Sequence, residues 1–343
     1  MKRHSHFFPA CAFLAAAMCI ASAAHAADDL PASPDALLKA LKAAPYASLK
    51  NIKAAGTVKQ VDFDPATGKA SVGNSLIFDE IIDTTGTGRF RMDLTPSTSP
   101  SQSDNPPYFS RYESYSFNGK FGVQAIYKEG SEGKIFDYPS ATVTKTPDSL
   151  TGLYLRWALC GFITPLLKVD GEERSLIDTL TTPRTQLNEN TWRILIPSVR
   201  PDTLDGKPLL CLEIKDNPDK PANIESLWLD PARGYLLVRR IWANGLKSPR
   251  IWQYDITGAK EVTKGIWLPT GGTFSISYSG KLEQTVKLEI NSLEVNIPEN
   301  GDTYTSAIQP DSHVEDQRYG VSFEGKDVPN IPAKLKDDET SKK

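Results

Sequence analysis

Apolar and polar residues alternate along most of this chain, in short runs that are separated by turn residues. The early runs include "NIKAAGTVKQVDFD", "NSLIFDEIID" and "GRFRMDL", and the later ones include "IESLWLD", "GYLLVRRIWAN", "RIWQYDI" and "QTVKLEINSLEVNI". A period of two places alternate side chains on the two faces of a strand. Turn signals recur every ~8–15 residues, so the pattern predicts a mainly β (α+β) fold built on a long antiparallel meander.

The turns between these runs share a chemistry. In "LDPARGY", Asp230 can accept backbone N–H bonds, Pro231 presets φ, and Gly234 can adopt the left-handed conformation that closes the loop. The segment 64–68, "DPATG", repeats this pattern in the first predicted hairpin. The dipeptide 118–119, Asn-Gly, lies between aromatic and branched residues and predicts a tight hairpin with both central residues at positive φ.

Three segments have helical rather than strand periodicity. Ser33 and Pro34 suit an N-cap and the first helical position, so the first helix is predicted from there to Pro45. Residues 148–168 are apolar almost all round, which predicts a buried helix. Residues 171–180, "GEERSLIDTL", predict a shorter amphipathic helix.

The chain begins with a targeting signal. Residues 1–26 have a basic start, an apolar centre too short for a membrane span, and an A-x-A site that predicts cleavage after Ala26. We therefore expect a secreted or periplasmic protein with no stable membrane insertion. Residues 27–332 are predicted to form one β-rich domain, and the charged tail 333–343 is predicted to be disordered.

Charge and histidine content exclude several functions. The formal net charge is −3, and loss of the basic signal makes it more negative, so a nucleic-acid partner is not expected. Three of the four histidines belong to the signal, which leaves His313 in the polar, loop-like "PDSHVEDQRYG". A histidine-rich zinc site is thereby excluded, and a Ser-His-Asp triad would have to use His313. Phosphate-binding and nucleophile motifs are absent as well, so we expect no metal, no cofactor and no enzymatic activity.

Two cysteines remain after the signal is removed. Cys160 and Cys211 lie in different predicted elements. In an oxidising compartment they could form a disulfide if their Cα atoms came within about 7 Å, and otherwise both are buried thiols. The sequence leaves both alternatives open.

All six tryptophans belong to the mature chain. They can fill the core, since tryptophan buries a large area, or they can line an apolar cavity between a curved sheet and the buried helix. For the cavity interpretation, the candidate ligand-binding residues are Trp157, Phe162, Trp228, Trp252 and Trp267.

The order of these elements resembles the LolA/LolB-like family of periplasmic lipoprotein carriers. The resemblance rests on "LLKALKAAPYASLKNIKAAG", "GRFRMDL", the hairpin "SFNGKFGVQAIY", and "SLWLDPARGYLLVRR". It extends to a late strand that runs into Asn296, Pro298 and Tyr304, and to "SHVEDQRYGVSF" near the end. The family implies an unclosed half-barrel of antiparallel strands whose open side is covered by helices, with an apolar cavity for acyl chains.

This chain departs from typical members of the family in two respects. It is longer, and it has no clear counterpart of the arginine that typical carriers keep near the cavity mouth. Arg89, Arg91 and Arg111 are the alternatives.

Three functional hypotheses follow. The leading one is a non-catalytic protein that binds a lipid or the acyl chain of a lipoprotein in the half-barrel. The second is an envelope sensor or scaffold that binds a protein partner with the same fold, and the third is a hydrolase with an unrecognised site.

Overall fold

The computed structural model describes most of the chain after the expected signal peptide. The described residues are 30–71, 75–85, 89–97, 112–127, 140–145, 167–169, 172–174, 176–181, 184–188, 191–194, 196–216, 223–245 and 249–330. The predicted signal, the predicted disordered tail and the predicted helix 148–168, apart from its last two residues, lie outside them.

Most of the described strands belong to one sheet of 15 strands, with two small hairpins beside it. The strands of the first part of the chain are β1 (Asn51–Asp62), β2 (Ser75–Asp83), β3 (Phe90–Pro96), β4 (Tyr112–Phe117), β5 (Gly122–Tyr127) and β6 (Ser140–Thr144). The small hairpins are β7 (Leu167–Val169) with β8 (Glu172–Arg174), and β9 (Arg184–Asn188) with β10 (Thr191–Ile194). The later strands are β11 (Ile196–Leu204), β12 (Lys207–Lys215), β13 (Asn223–Asp230), β14 (Leu236–Asn244), β15 (Arg250–Thr263), β16 (Ile266–Tyr278), β17 (Lys281–Val295), β18 (His313–Asp316) and β19 (Val321–Glu324).

The large sheet consists of two meanders joined at the middle. Strands β11 to β17 follow one another, β17 then pairs antiparallel with β1, and β1 to β6 continue the sheet. The order ends in β11 on one side and β19 on the other, so the sheet is not closed on itself. This is the predicted mainly β, unclosed half-barrel, and that prediction is confirmed.

Two helices pack on one face of the sheet, which we call the inner face. Helix α1 (Pro34–Ala43) begins where predicted, because the Ser33 hydroxyl accepts the Ala36 N–H at 3.2 Å. Helix α2 is Leu176–Thr181. A leucine-rich cluster joins α1 and α2 to β12, β13 and β14; its buried residues are Leu37, Leu41, Leu176, Leu180, Leu210, Leu212, Ile214, Leu227, Leu229 and Leu237.

Two helix predictions need correction. Among the described residues of the segment 171–180 that was predicted as helical, 172–174 are a strand that pairs with β7, and the helix begins at Leu176 and ends at Thr181. The last residues of the predicted helix 148–168 belong to the same hairpin, since Leu167 pairs with Arg174. Cross-strand pairing between neighbouring segments competes with local helical periodicity here, and the periodicity alone could not decide between them.

The predicted turn chemistry is confirmed at both Asp-Pro turns. The Asp230 carboxylate accepts the Ala232 N–H at 3.0 Å, and Gly234 has φ of +65°. In the "DPATG" turn, Asp64 accepts two backbone N–H bonds at 2.8 Å, and Gly68 has φ of +69°. These turns are thus structural, and each closes a hairpin.

The Asn-Gly hairpin is confirmed, but its predicted dihedrals are wrong. Gly119 has φ of +91°, whereas Asn118 does not have positive φ. The Asn118 side chain instead accepts the backbone N–H groups of Lys120 and Phe121, at 3.0 and 3.1 Å. An asparagine side chain can complete a turn in this way without a left-handed backbone.

The segment that follows β17 runs back across the outer face of the first meander. The Asn51 amide donates to the Ile297 carbonyl at 3.0 Å and its oxygen accepts the Ile297 N–H at 2.8 Å. Further along, the Ser306 N–H donates to the Ser116 hydroxyl at 2.8 Å. Strand β18 then pairs with β6 in parallel, which adds the chain's end to the sheet.

His313 is the first residue of β18 and is exposed, so its assignment to a loop is wrong. Strand β18 pairs locally with β19 and in parallel with β6, which is about half of the chain away, and parallel pairing at that distance has no local signal in the sequence.

A polar network anchors this returning segment. Arg89 forms ion pairs with the fully buried Asp83 and, at 3.2 Å, with Glu299, and its guanidinium carbon lies 4.5 Å from the centre of the Tyr304 ring. The Tyr304 hydroxyl donates to Glu299 at 2.9 Å, and the Asn51 amide donates to the same carboxylate at 2.8 Å. Glu299 thus links three parts of the chain.

Glu299→Gln is expected to make stability less dependent on acid pH. The Asn51 hydrogen bond, with help from Tyr304 and Arg89, holds the pKa of Glu299 below its usual value of 4.5. A carboxyl group whose pKa is lower in the folded than in the unfolded state stabilises the fold at pH values above the unfolded-state pKa. This stabilisation is lost as the pH falls through the folded-state pKa. In urea titrations the variant should be less stable than wild type near neutral pH, and the two should converge as the pH falls through the folded-state pKa of Glu299, which lies below 4.5. If the difference in the free energy of unfolding between variant and wild type were the same at all pH values, this role of Glu299 would be contradicted.

Candidate functional site

Two rows of side chains cross the inner face from the helix-covered strands to β17. Residues that pair directly across antiparallel strands share a face, so the pairing registers define each row. The first row is Leu212, Leu227, Arg240, Tyr254, Phe274 and Val286. The second row is Ile214, Glu225, Trp242, Trp252, Ile276 and Gln284. Each row therefore passes from leucine-filled core to an aromatic centre.

Two aromatic pairs form the centre of these rows. Trp242 and Trp252 stack with their ring centroids 4.2 Å apart and their planes at 21°. Tyr254 and Phe274 lie 4.5 Å apart at 33°. Tyr254 and Phe274 are buried, whereas both tryptophans are only half-buried. We call these four residues the aromatic patch.

The aromatic patch continues into the apolar cluster of the first meander. The buried members of this cluster outside the patch are Ala54, Val58, Leu76, Phe78, Phe90, Met92, Leu94, Tyr115, Ile276, Val286 and Leu288. Trp252 packs against the edge of the cluster. The inner face therefore has a continuous apolar layer from β14 to β4, which is buried in the first meander and half-buried at the two tryptophans.

A buried ion pair lies beside the aromatic patch. The Arg240 Nε atom is 2.6 Å from Glu225 Oε1, and both side chains are less than a tenth exposed. The Arg240 guanidinium carbon is 5.6 Å from the centre of the Tyr254 ring. Because the two charges compensate each other, this part of the inner face contains charged groups but carries no net charge.

The first meander also places polar groups on the inner face. The Tyr115 hydroxyl donates to Glu113, and the Gln124 amide donates to that hydroxyl at 3.2 Å. Glu80, which pairs across strands with Ala54 and Met92, is buried on the same face. The inner face is thus apolar in its centre and has mostly buried hydrogen-bonding groups on the β2–β5 side.

The structure separates the predicted ligand-binding tryptophans. Trp252 lies in the aromatic patch. Trp228 follows the inner-face residue Leu227 and points to the outer face, where its indole N–H donates to Asp202 at 3.0 Å. Trp267 alternates with Ile266 and Leu268, which pack with inner-face residues, so it lies on the opposite side. Trp157 and Phe162 lie outside the described residues.

Of the two cysteines that could form a disulfide, Cys211 lies in the described part of the chain. Cys211 is a free, fully buried thiol that pairs across strands with Trp228 on the outer face. Burial raises the pKa of this thiol to about 11, so it is unreactive at neutral pH. Cys160 lies outside the described residues.

The candidate arginines have structural partners. Arg89 belongs to the network that anchors the returning segment, and Arg91 pairs with Asp93 at 3.1 Å. Arg111 lies outside the described residues. Two other arginines lie beside the aromatic patch, Arg240 near Tyr254 and Arg250 near Trp252, and neither was among the candidates.

Sequence reasoning also missed Trp242 and Glu225. The sequence did indicate that Arg240 and Trp242, which are two residues apart, share one face of their strand. Nothing in the sequence, however, indicated which of the two faces the helices cover.

Within the described part of the chain, no helix is both long and apolar enough to cross a membrane.

Comparison with solved structures gives matches at low sequence identity. An outer membrane lipoprotein-sorting protein domain from Vibrio parahaemolyticus matches with 9% identity and a TM-score of 0.43, over 78% of this chain and 95% of that one. A LolA superfamily protein from Nitrosomonas europaea matches with 9% identity and a TM-score of 0.42, over 80% and 99%. A DUF1329 family protein from Desulfovibrio piger matches with 10% identity and a TM-score of 0.40, over 80% and 96%.

No family model matches the sequence, and no curated protein does. Of these three solved structures, the one from Nitrosomonas europaea is described as a LolA superfamily protein.

Proposed function

We propose that this protein binds an apolar ligand, a lipid or the acyl chain of a lipoprotein, on the inner face of its half-barrel. It does so in the periplasm or outside the cell, and no covalent chemistry is involved. The observation that carries the proposal is the stacked Trp242–Trp252 pair, which is half-buried and continuous with the apolar cluster of the first meander.

The two ends of the inner face are suited to different tasks. Against β12 to β14, α1 and α2 fill the face with fully packed leucines, so that end belongs to the structural core. At the aromatic patch the tryptophans keep part of their surface exposed, and this surface can be covered by a ligand. Burial of apolar area contributes roughly 25 cal/mol per Å² before the entropic costs of binding.

The ion pair indicates which part of a ligand the patch accepts. Arg240 and Glu225 compensate each other at 2.6 Å, so a ligand anion placed here would be attracted by one and repelled by the other. An uncharged hydrocarbon chain over the rings meets no such opposition. We therefore expect the chain of an amphipathic ligand, rather than its charged head, to lie on the aromatic patch.

Trp252→Ala and Trp242→Ala should each weaken the binding of a fluorescent fatty-acid probe by about tenfold, because each removes apolar contact area from the patch. Trp228→Ala is the matched control, since this tryptophan is also half-buried on the same sheet but faces outward. The measurement is probe fluorescence titrated against purified protein, and Trp228→Ala should bind as wild type does.

Equal losses in all three variants would contradict an inner-face site. Native mass spectrometry of the protein purified from its own envelope provides an independent check. Failure to find any co-purified lipid, together with no uptake of the probe by wild type, would overturn the proposal. A stoichiometric protein partner without lipid would favour the sensor or scaffold hypothesis instead.

A further inference from the structure

The tip of the β16–β17 hairpin carries exposed apolar side chains. Ser279 and Gly280 form a tight turn with φ of +51° and +77°. The flanking Tyr278 is 49% exposed and Leu282 is 37% exposed. Of the large hydrophobic residues that are exposed in the described part of the chain, these two flank one tight turn, and Tyr319 and Val321, which are 51% and 42% exposed, form a second pair on the β18–β19 hairpin. We call residues 278–282 the hairpin tip.

The hairpin tip is apolar on both of its sides. Tyr278 pairs with Arg250 and Lys281, in line with inner-face residues such as Ile276. The register shifts between Ile276 and Ser277, so Leu282 pairs with Ser277 and points to the other side. A tip with apolar groups on two sides cannot be covered by packing against one flat surface, but it can be surrounded by a fluid one.

The charges around the hairpin tip are balanced. The Arg250 Nη2 atom lies 3.0 Å from Glu283 Oε2. The Asp64 carboxylate, whose pKa is lowered chiefly by the backbone N–H groups of Thr67 and Ala66, also interacts with the Lys281 ammonium. The tip therefore has polar groups suited to a headgroup layer, without a net charge that would demand an anionic surface.

The hairpin tip is connected to the aromatic patch. Tyr278 pairs with Arg250, whose guanidinium carbon lies 5.4 Å from the centre of the Trp252 ring, and Trp252 stacks on Trp242. A path of aromatic and cationic side chains thus runs from the exposed tip to the inner face.

We propose that the hairpin tip inserts into the surface of a phospholipid bilayer, with Tyr278 and Leu282 among the upper acyl chains and Arg250 and Lys281 at the headgroups. Tyrosine and long basic side chains suit this boundary, because each has an apolar body and a polar end. Two side chains are far too small for a specific protein interface, which buries at least ~1,000 Å². The inference rests on the proposed function for its purpose, which is to place the inner face next to a source of lipid.

The test uses full-length mature protein and vesicles of phosphatidylcholine, with bound protein measured by co-sedimentation. The double variant Tyr278→Ser with Leu282→Ser should lower the vesicle partition coefficient by about tenfold, since two apolar anchors are lost. The matched controls are Ile77→Ser, at a residue that is 48% exposed, and the combined substitutions Tyr319→Ser and Val321→Ser, at residues that are 51% and 42% exposed but lie elsewhere in the fold. Both controls should partition as wild type does.

The proposal is overturned if wild type does not bind the vesicles, if the double variant binds as wild type does, or if the controls fall by the same factor. Because the tip charges are balanced, strong loss of binding in added salt would also contradict it. The two proposals fail separately. The double variant should retain uptake of a soluble fluorescent fatty acid, whereas Trp252→Ala should bind that fatty acid about tenfold more weakly and still bind vesicles.

Discussion

Gly56→Ala is expected to destabilise the protein by at least about 3 kcal/mol, or to prevent folding altogether, because it forces a side chain against the backbone of a paired strand. A Cβ atom at this position would lie 2.0 Å from the Glu289 carbonyl oxygen and 2.9 Å from Ile290 Cα. Both are backbone atoms of β17, so no side-chain rotation can relieve the contact. The β1–β17 pairing is also the junction that joins the two meanders.

The control for this prediction is Gly301→Ala. A Cβ atom at Gly301 would have no neighbour within 4 Å, and Gly301 does not have positive φ. Urea unfolding followed by tryptophan fluorescence measures both variants. If Gly56→Ala unfolded at the same urea concentration as Gly301→Ala, the close approach of β1 and β17 at this position would be wrong.

Removal of one partner of the Arg240–Glu225 pair is expected to lower the free energy of unfolding by about 3 kcal/mol, because the remaining charge stays buried. Glu225→Leu should show this loss, and so should Arg240→Met. The double variant should recover much of it, since an apolar pair of similar volume has no charge to desolvate. Both side chains are less than a tenth exposed, which makes the pair suitable for a double-mutant cycle.

The control is the exposed ion pair between Lys287 and Glu289, whose side chains are 60% and 58% exposed. Lys287→Ala should leave the urea midpoint unchanged within error, because solvent screens such a pair. Additive losses in the Glu225–Arg240 cycle would show that the two residues do not act as a pair. The same variants provide a test of ligand selectivity, since Glu225→Leu leaves a cation beside the patch and should favour anionic probes.

Local rules were sufficient for much of the fold. Alternation predicted the strands of both meanders, and the Asp230 and Asp64 turns formed as their side-chain chemistry required. Ser33 and Pro34 likewise located the start of α1. Each of these features depends on residues that are close together in the chain, and their physical causes can therefore be found in the sequence.

The errors arose where strand pairing overrides what the local pattern suggests. Strand β18 pairs with its neighbour β19 and, in parallel, with the distant β6, and this pairing satisfies its backbone groups. The β7–β8 hairpin joins neighbouring segments, and its pairing replaced part of two predicted helices. At β18 and at the β7–β8 hairpin, strand pairing determined the local structure, and the apolar periodicity of the sequence does not predict this pairing.

The candidate site was likewise predictable from the sequence only in part. By itself, the sequence determined that Leu227 and Trp228 point to opposite faces, that Arg240 and Trp242 share one, and that tryptophans were available to line a cavity. Only the tertiary structure decided which face is inner, because that depends on where α1 and α2 bury their leucines. Packing on Leu227 placed Trp228 outside, and strand pairing brought Trp242 against Trp252 and Glu225 against Arg240. Alternation specifies two faces but cannot distinguish them, and only the burial of apolar surface between distant elements makes one of them the interior.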